Sequence, residues 1–516
     1  MTAGTPAPVP PRYGSTSTGR PRRFRAVLGW SVLGALVPGS GLIAAGRRRT
    51  GALVLVLFLG LLGFLAWLAL DGRQLLARWT VDADHLVWLI VGMGAAALLW
   101  AVVIVVGYRL LLPPRTSRGR QFVGGLVVAL LVLAVAAPAY FVSRIAGTTR
   151  EVIADVFHDH GQSATVVDTP DPFGGKDRVN VLLLGGDAGK DRTGTRTDTV
   201  IVASIDTHTG DTTLISLPRN LENLPFPPGT QLARLYPDGF WTGDENESLL
   251  NSIYDNGPRL HPNALGAPSD NPGADWLKLG VGQALGIKLD YYVLINLNGF
   301  RKLVNALGGI TVNVNYYVPI GGDTATNTLP DDYIAPGPNK KLGGYMALMY
   351  ARGRYGLTDY DRMARQRCAI KAIVDAADPI TLLRKYQALA RTTKDIVRTD
   401  IPSSALDDFV DLAFLVKDAS IRSLVLDTSV IKPAYPDYKL IRKLVDRALN
   451  PPPPRDDGSR RSSPSTSASS SPSNPAATPT PEPAENAVDD VEDACAYNPA
   501  QAAAARAKGE PQSLYG

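Results

Sequence analysis

A chain of 516 residues is long for one domain, and its length predicts two or three structural units. The net charge of +5 is small, and most basic residues flank apolar segments, so the charge does not indicate nucleic-acid binding. Five histidines and two cysteines, with no CxxC and no HExxH, exclude a metal site built from a cluster of those residues.

The N-terminal part predicts a membrane region. Residues 1–25 are polar and end in the basic sequence RPRRFR, which is typical of a disordered cytoplasmic arm. Four apolar segments follow, at about 26–45, 52–70, 86–107 and 123–143. The last three are each long enough to cross a bilayer, which takes about 20 apolar residues. We therefore expect residues 26–146 to lie in a lipid bilayer.

The basic loops predict the topology of these segments. Loops 46–50 and 108–122 are rich in arginine and should be cytoplasmic, whereas loop 71–85 has balanced charge and should lie outside. Everything after about residue 146 is then extracytoplasmic, which makes the chain a multi-pass protein of the cell membrane. The first segment is interrupted at Pro38 and has basic residues on both flanks. A re-entrant hairpin is favoured there, and a fourth span stays open.

A linker at 147–175 leads to a folded extracytoplasmic domain, expected over 176–448. The continuous apolar run VNVLLLG predicts a central strand, and TVIVASI and TTLISL predict a hairpin that turns at Gly210. Helical and strand patterns then alternate, which predicts an α/β fold, a three-layer α/β/α sandwich with a mixed sheet. The polar segment 222–275 is expected to be a loop insertion with little regular structure.

The C-terminal part begins with a Pro/Ser/Thr-rich tract, and we expect residues 449–516 to form a disordered tail. The two cysteines of the chain are Cys368 and Cys495. Because an extracytoplasmic location permits disulfides, a bridge between them and a pair of free thiols are both open.

Charged side chains stand at the ends of the predicted strands. In a hairpin centred near His208, Asp198 and Arg219 face each other. Arg196 lies two residues before Asp198, on the same side if the strand extends that far. Asp187 comes just past the carboxyl end of its strand, where ligands usually bind in α/β sheets.

A second charged cluster lies in YARGRYGLTDYDRMARQR. If its first part is extended, Arg352 and Arg354 point the same way. Asp359 can cap the following helix, on which Arg362 and Gln366 share one face. Guanidinium groups and a helix N-terminus suit phosphate, and nearby carboxylates could hold a hard divalent cation. The pattern predicts a phosphate site, with solvated surface ion pairs as the alternative.

Other motifs fit less well. GGDAGKD resembles a P-loop only loosely, because the glycine spacing is wrong and Asp191 stands where Ser or Thr is needed. Asp187, Asp198 and Asp359 could supply the carboxylate pair of a glycoside hydrolase. The dense arginines around them favour an anionic substrate instead.

Five stretches resemble the blocks of the LytR-CpsA-Psr family, in family order: RTDTVIVASID, LISLPRN, NSIYDNG, NGFRKLVNALGGITVNV and RGRYGLTDYDRMARQ. The resemblance covers about 176–385 well. It implies a membrane-anchored transferase that moves a glycopolymer from a polyprenyl-pyrophosphate carrier onto peptidoglycan, making a phosphodiester. It also implies an apolar pocket for the lipid tail. A lipid pyrophosphate hydrolase and a non-catalytic membrane regulator of envelope synthesis stay open, as does the identity of the polymer.

The resemblance also implies roles for individual residues. Asp187 and Asp198 would coordinate Mg²⁺ (or Mn²⁺), Asp359 would act near the acceptor hydroxyl or orient the arginines, and Gln366 would help hold the phosphate. Five arginines would clamp the pyrophosphate: Arg196, Arg219, Arg352, Arg354 and Arg362. The chain departs from the family pattern at Asn220, where Asp usually follows Pro-Arg. The Arg- and Ala-rich composition is typical of an actinobacterium.

Overall fold

The computed structural model describes residues 24–72, 75, 78–79, 82–113, 116–156, 162–166, 172–173, 175–187, 195–324, 326–377, 397–451 and 488–514. The chain divides into two compact units. One contains Met1–Arg73 and Asp84–Thr148, and the other contains Gln74–Ala83 and Thr149–Gly516. Most of the predicted N-terminal arm and the whole tract 452–487 lie outside the described residues.

The first unit is helical. Its elements are α1 (Phe24–Leu36), α2 (Ser40–Ala44), α3 (Arg48–Leu70), α4 (Ala83–Leu111) and the start of α5 (Arg118–Val156). Within the described residues, three stretches are long and apolar enough to cross a membrane: Arg48–Leu68, His85–Leu111 and Arg118–Thr148. These match the last three predicted segments and indicate membrane anchoring. The first segment is broken before Gly39, whose φ of 96° is left-handed, into two helices too short to span a bilayer.

The second unit is built on a mixed sheet. The strands are β1 (Arg178–Asp187), β2 (Arg196–Asp206), β3 (Thr212–Leu217), β4 (Tyr291–Asn296), β5 (Ile310–Val314), β6 (Val318–Ile320), β7 (Asp332–Ile334), β8 (Gly337–Leu342), β9 (Val397–Thr399), β10 (Ile421–Val425) and β11 (Val488–Asp490). Seven of these form one sheet in the order β11-β10-β3-β2-β1-β4-β9. Strand β5 pairs with β8 in one small sheet, and β6 pairs with β7 in another. The pairs β1–β4 and β3–β10 are parallel, which confirms the predicted mixed sheet.

Helices cover both faces of this sheet. The helices of this unit within the described residues are α6 (Gln231–Leu235), α7 (Ile253–Leu260), α8 (Pro272–Leu285), α9 (Leu297–Leu307), α10 (Gly344–Arg352), α11 (Asp359–Ala376), α12 (Leu406–Asp418), α13 (Tyr438–Leu449), α14 (Val491–Ala494) and α15 (Pro499–Ala507). Val200 and Val202 of β2 pack with Trp276 of α8, whereas Ile201 packs on the opposite face with Ile370 of α11. Successive residues of β2 therefore serve two cores, as expected of a continuous apolar strand, and the three-layer α/β/α prediction is confirmed.

The segment 222–275 has more regular structure than expected. It contains α6, a short 3-10 turn at Leu250–Ser252 and α7. Leu232, Leu250 and Ile253 are fully buried in the main core. The expectation of a bare loop is wrong here because a few apolar residues, spaced within a polar sequence, are enough to fix short helices against a large core.

The prediction of a disordered tail over 449–516 is wrong for residues 488–514. Strand β11 pairs antiparallel with the edge strand β10. Val491 is fully buried, and Cys495 forms a disulfide with Cys368 of α11. The acidic composition of the tail does not predict this order, because the order depends on distant partners. These are Cys368, 127 residues away, and the edge of the sheet at β10.

Candidate active site

A β-bulge shapes the centre of the site. Gly185 of β1 faces Thr199 of β2, and Gly186 faces Thr197, so Asp198 has no residue opposite it. Bulges of this kind re-aim a side chain and often lie beside active sites. The close approach of the two strands requires glycine at position 185, because a Cβ there would stand 2.9 Å from the Thr199 hydroxyl oxygen.

The predicted pairing of Asp198 with Arg219 is present. The hairpin register aligns Val200 with Leu217, and beyond it Arg219 Nη1 donates to Asp198 Oδ1 at 2.7 Å. Burial alone would raise the pKa of Asp198, but the guanidinium of Arg219 and further donors outweigh it and hold that pKa below its ordinary value. Asp198 is therefore a carboxylate at neutral pH.

Arg196 is not part of the Asp198–Arg219 pair. The prediction placed Arg196 and Asp198 on one side of β2, but the bulge at Asp198 interrupts the strand's alternation. Arg196 Nη2 instead donates to Glu247 Oε1 at 2.5 Å. Asp187 pairs with Arg196 through the β1–β2 register, and its side chain lies outside the description. Asn220 is exposed.

The stretch before α11 differs from its prediction. Residues up to Arg352 are helical, because the apolar residues of α10 pack that helix into a core, and Gly353 ends it. The condition of an extended backbone over 351–355 is therefore not met at Ala351 and Arg352, which are helical. Arg352 and Arg354 nevertheless line the same cavity.

The start of α11 is capped by Thr358 rather than by Asp359, which corrects the prediction. Thr358 Oγ1 accepts the Asp361 backbone N–H, and the Asp361 carboxylate accepts the Thr358 N–H, forming a capping box. The Asp359 carboxylate does not cap the helix and instead contacts three arginines. Its Oδ2 lies 3.0 Å from Arg362 Nη2, and its Oδ1 lies 3.4 Å from Arg354 Nε and 3.6 Å from Arg219 Nε.

Arg362 and Gln366 share one face of α11, as predicted. Arg362 is 4% exposed and also donates to the Asp198 carbonyl oxygen at 3.1 Å. Burial lowers the pKa of Arg362 to about 10, against the opposing attraction of Asp359, so the group stays protonated at neutral pH. Gln366 Nε2 donates to Thr199 Oγ1 at 2.8 Å, which joins α11 to β2 on the other side of the bulge.

Asn251 was not among the predicted site residues. Its side-chain Nδ2 donates to Asp198 Oδ1 at 3.3 Å, and its backbone N–H donates to the Arg219 carbonyl oxygen at 3.0 Å. Its Oδ1 is buried without a hydrogen-bond partner among the described residues. The available signal was its position as the first residue of the block NSIYDNG.

A cavity of about 1090 Å³ opens at this cluster. Its charged and amide side chains at the cluster are Asp198, Arg219, Arg352, Arg354, Arg362 and Gln366. Its apolar wall comes from both the sheet and the helices, and includes Leu183, Ile201, Val293, Ile295, Phe300, Leu303, Ile370, Ile373 and Val374. One cavity therefore combines cationic groups with a long apolar surface.

The donor set suits a hard cation only in part. Asp198 supplies carboxylate oxygen atoms, and Mg²⁺ is usually held by one or two carboxylates together with substrate phosphates. No group of three or more His, Cys, Asp or Glu in the described ranges could hold a metal ion. The residues thus fit an ion shared with a bound phosphate rather than an ion enclosed by the protein.

Comparison with known proteins identifies the class. Residues 143–438 match the model of the LytR_cpsA_psr family, and the chain belongs to that family.

Individual relatives share about a third of their aligned residues with this chain or fewer. The chain is 31% identical over 250 residues to the polyisoprenyl-teichoic acid--peptidoglycan teichoic acid transferase TagU of Enterococcus faecalis, covering 47% of this chain and 67% of that protein. It is 28% identical to the cell wall biosynthesis protein LcpA of Corynebacterium glutamicum, over 42% of this chain and 39% of that protein. Among solved structures, protein gbs0355 of Streptococcus agalactiae is 23% identical with a TM-score of 0.40, over 54% of this chain and 90% of that one.

Proposed function

We propose that this chain transfers a glycopolymer from a polyprenyl-pyrophosphate carrier onto peptidoglycan, forming a phosphodiester at the outer face of the cell membrane. The observation that carries the proposal is the single cavity in which Arg219, Arg354 and Arg362 stand beside an apolar wall. An amphiphile with an anionic head and a hydrocarbon tail matches both parts. The printed names of the relatives, a teichoic acid transferase and a cell wall biosynthesis protein, agree with this chemistry.

In the proposed step, a hydroxyl oxygen of peptidoglycan attacks the phosphorus that bears the glycan. A new phosphorus–oxygen bond forms, the bond to the bridging oxygen breaks, and polyprenyl phosphate leaves with the electron pair. Such reactions depend mainly on positioning and on neutralising charge at the phosphoryl oxygens. Arg219 is half-buried and Arg362 is buried, so their charge acts there more strongly than in water.

Individual residues then take distinct roles. Arg219, Arg354 and Arg362 hold the pyrophosphate, and Gln366 adds an amide donor. Asp359, close to all three arginines, orients them and is our candidate to accept the hydroxyl proton. Arg352 contributes at the rim of the same cavity.

A divalent cation completes the proposed site. Asp198, with Asp187 at the end of β1, would hold Mg²⁺ or Mn²⁺ together with the phosphate oxygens. The ion would neutralise phosphate charge when bound. Asp198 is kept ionised by Arg219, so it is available to such an ion at neutral pH.

The test is a transfer assay with the full chain in detergent micelles. It combines a polyprenyl-pyrophosphate oligosaccharide, peptidoglycan and Mg²⁺, and measures both the conjugate and the released polyprenyl phosphate. We expect both products in equal amounts, and their loss in Arg219→Ala but not in the exposed control Arg234→Ala. Release of lipid phosphate at the same rate without acceptor would support a hydrolase instead, and a protein with neither product would be a non-catalytic regulator.

A further inference from the structure

We propose that Asn251 is a positioning residue that fixes Asp198 and Arg219 relative to each other. The inference rests on the proposed function and adds a residue to its site. Asn251 contacts both members of the pair, since its amide donates to Asp198 Oδ1 at 3.3 Å and its backbone N–H donates to the Arg219 carbonyl oxygen at 3.0 Å. One residue thereby connects the bulge of β2 to the chain that follows β3.

The orientation of the Asn251 amide follows from its partner. A carboxylate only accepts hydrogen bonds, so the amide nitrogen must face Asp198. This leaves Asn251 Oδ1, which is buried and has no hydrogen-bond partner in the described part of the chain. Buried polar atoms are nearly always paired, so this oxygen calls for an explanation, and a ligand bound beside Asp198 would supply one.

The backbone around Asn251 is held firmly. Leu250 is fully buried, and its N–H donates to the Leu221 carbonyl oxygen at 2.9 Å. Ser252 Oγ donates to the Glu247 carbonyl oxygen at 2.7 Å. Asn251 itself is 4% exposed. The amide is thus presented on a rigid segment, as a positioning role requires.

Glu247, in the same segment, holds another predicted site residue. Its Oε1 accepts from Arg196 at 2.5 Å, while its Oε2 accepts from Asn256 Nδ2 at 2.8 Å. The segment 247–256 therefore contacts β2 at two charged residues, Arg196 through Glu247 and Asp198 through Asn251. Asn251 is the member that contacts the Asp198–Arg219 pair and gives the sharper test.

The role predicts a particular kinetic effect. Donor affinity should depend mainly on the apolar tail, whereas the placement of Asp198 and Arg219 matters most when charge develops in the transition state. Loss of a hydrogen bond to a charged group should lower kcat about ten- to a hundredfold. The KM for the donor should stay within about threefold of the wild type, a change of under 1 kcal/mol.

The experiment uses the full chain in detergent micelles with four variants: Asn251→Ala, Asn251→Asp, Asp198→Asn and the double variant Asn251→Ala/Asp198→Asn. Asn246→Ala, an exposed asparagine of the same loop, is the matched control. We measure kcat and KM, the melting temperature, and binding of geranylgeranyl pyrophosphate as a probe of the donor site. Asn251→Asp has nearly the same shape but sets a second negative charge against Asp198, so it should lose at least as much kcat as Asn251→Ala.

A purely structural role predicts a different pattern. Wild-type kcat in Asn251→Asp, or an Asn251→Ala loss that persists undiminished in the Asp198→Asn background, would overturn the proposal. A loss of kcat accompanied by a similar fold loss of probe affinity and by a lower melting temperature would also overturn it. If the wild-type protein binds the probe but forms no conjugate, the proposed function fails, and with it this inference.

Discussion

Arg362 donates a hydrogen bond to the backbone carbonyl oxygen of Asp198 across 3.1 Å, although 164 positions separate the two residues in the chain. Asp198 lies in the bulge of β2, where no residue of β1 stands opposite it. The same guanidinium nitrogen contacts Asp359 Oδ2 at 3.0 Å. Helix α11 is thereby fixed to the hairpin at the point where the charges meet.

The first prediction concerns this contact. Arg362→Lys should lower kcat/KM at least about tenfold, because an ammonium group keeps the charge but cannot reproduce the planar array of guanidinium donors. Arg234→Lys, at an exposed position of α6, should leave kcat/KM unchanged. Initial rates over a range of donor concentrations measure both variants. Wild-type activity in Arg362→Lys would show that charge alone suffices at this position.

The second prediction concerns the apolar wall. Leu303 lines the cavity from α9, and Leu303→Asn should raise the KM for a long-chain donor about tenfold, because it removes apolar surface worth about 1.5–3 kcal/mol when fully buried. The matched control is Leu235→Asn, at an exposed leucine. A short-chain donor should lose less affinity than a long-chain donor in Leu303→Asn. Equal losses for both donors would mean that this wall does not contact the lipid.

The third prediction concerns the tail. Cys495→Ser should lower the free energy of unfolding by about 2–4 kcal/mol, since the disulfide to Cys368 constrains a long stretch of the unfolded chain. Chemical unfolding in detergent, followed by near-UV circular dichroism, measures this change. Reductant should destabilise the wild type but leave the Cys368→Ser/Cys495→Ser double variant unaffected. A wild type insensitive to reductant would contradict the stabilising role.

The fourth prediction concerns pH and the β2–β3 turn. Asp206 Oδ1 accepts the backbone N–H groups of His208 and Thr209, each at 2.9 Å. Partial burial would raise the pKa of Asp206, but these two donors outweigh it and lower that pKa below its ordinary 3.8. The carboxylate thus stabilises the fold above about pH 4, and this contribution is lost as the pH falls through the lowered pKa.

Asp206→Asn removes the titrating group while keeping a carbonyl acceptor. Between pH 6 and pH 3 the wild type should lose on the order of 1 kcal/mol more stability than this variant, the amount of one typical hydrogen bond. Unfolding midpoints at the two pH values give the difference. Parallel losses in the two proteins would exclude Asp206 as the source.

The strand ends of this site were predictable because their geometry is local. The apolar runs on either side of Gly210 set the register that brings Asp198 to Arg219, and the four-residue spacing of Arg362 and Gln366 set their common face. The cap of α11 was harder to predict, since Thr358 and Asp359 are both good caps and only the pairing of Thr358 with Asp361 decides between them.

Features that depend on distant contacts were not predictable from pattern. Asn251 and Glu247 lie in a polar segment whose composition is that of a loop, and their partners are decided by where that segment packs. The helical turn at Ala351 depends on a small core shared with β5 and β8. The order of residues 488–514 depends on Cys368 and on the free edge of β10.

The most direct test follows the phosphate next to the glycan. A polyprenyl-pyrophosphate oligosaccharide carrying radioactive phosphorus at that position is incubated with the full chain, peptidoglycan and Mg²⁺. Transfer with phosphodiester formation predicts that the label moves into peptidoglycan together with the sugar, while unlabelled polyprenyl phosphate is released. Label left on the lipid as pyrophosphate, or recovered only in free sugar phosphate, would contradict the proposed reaction.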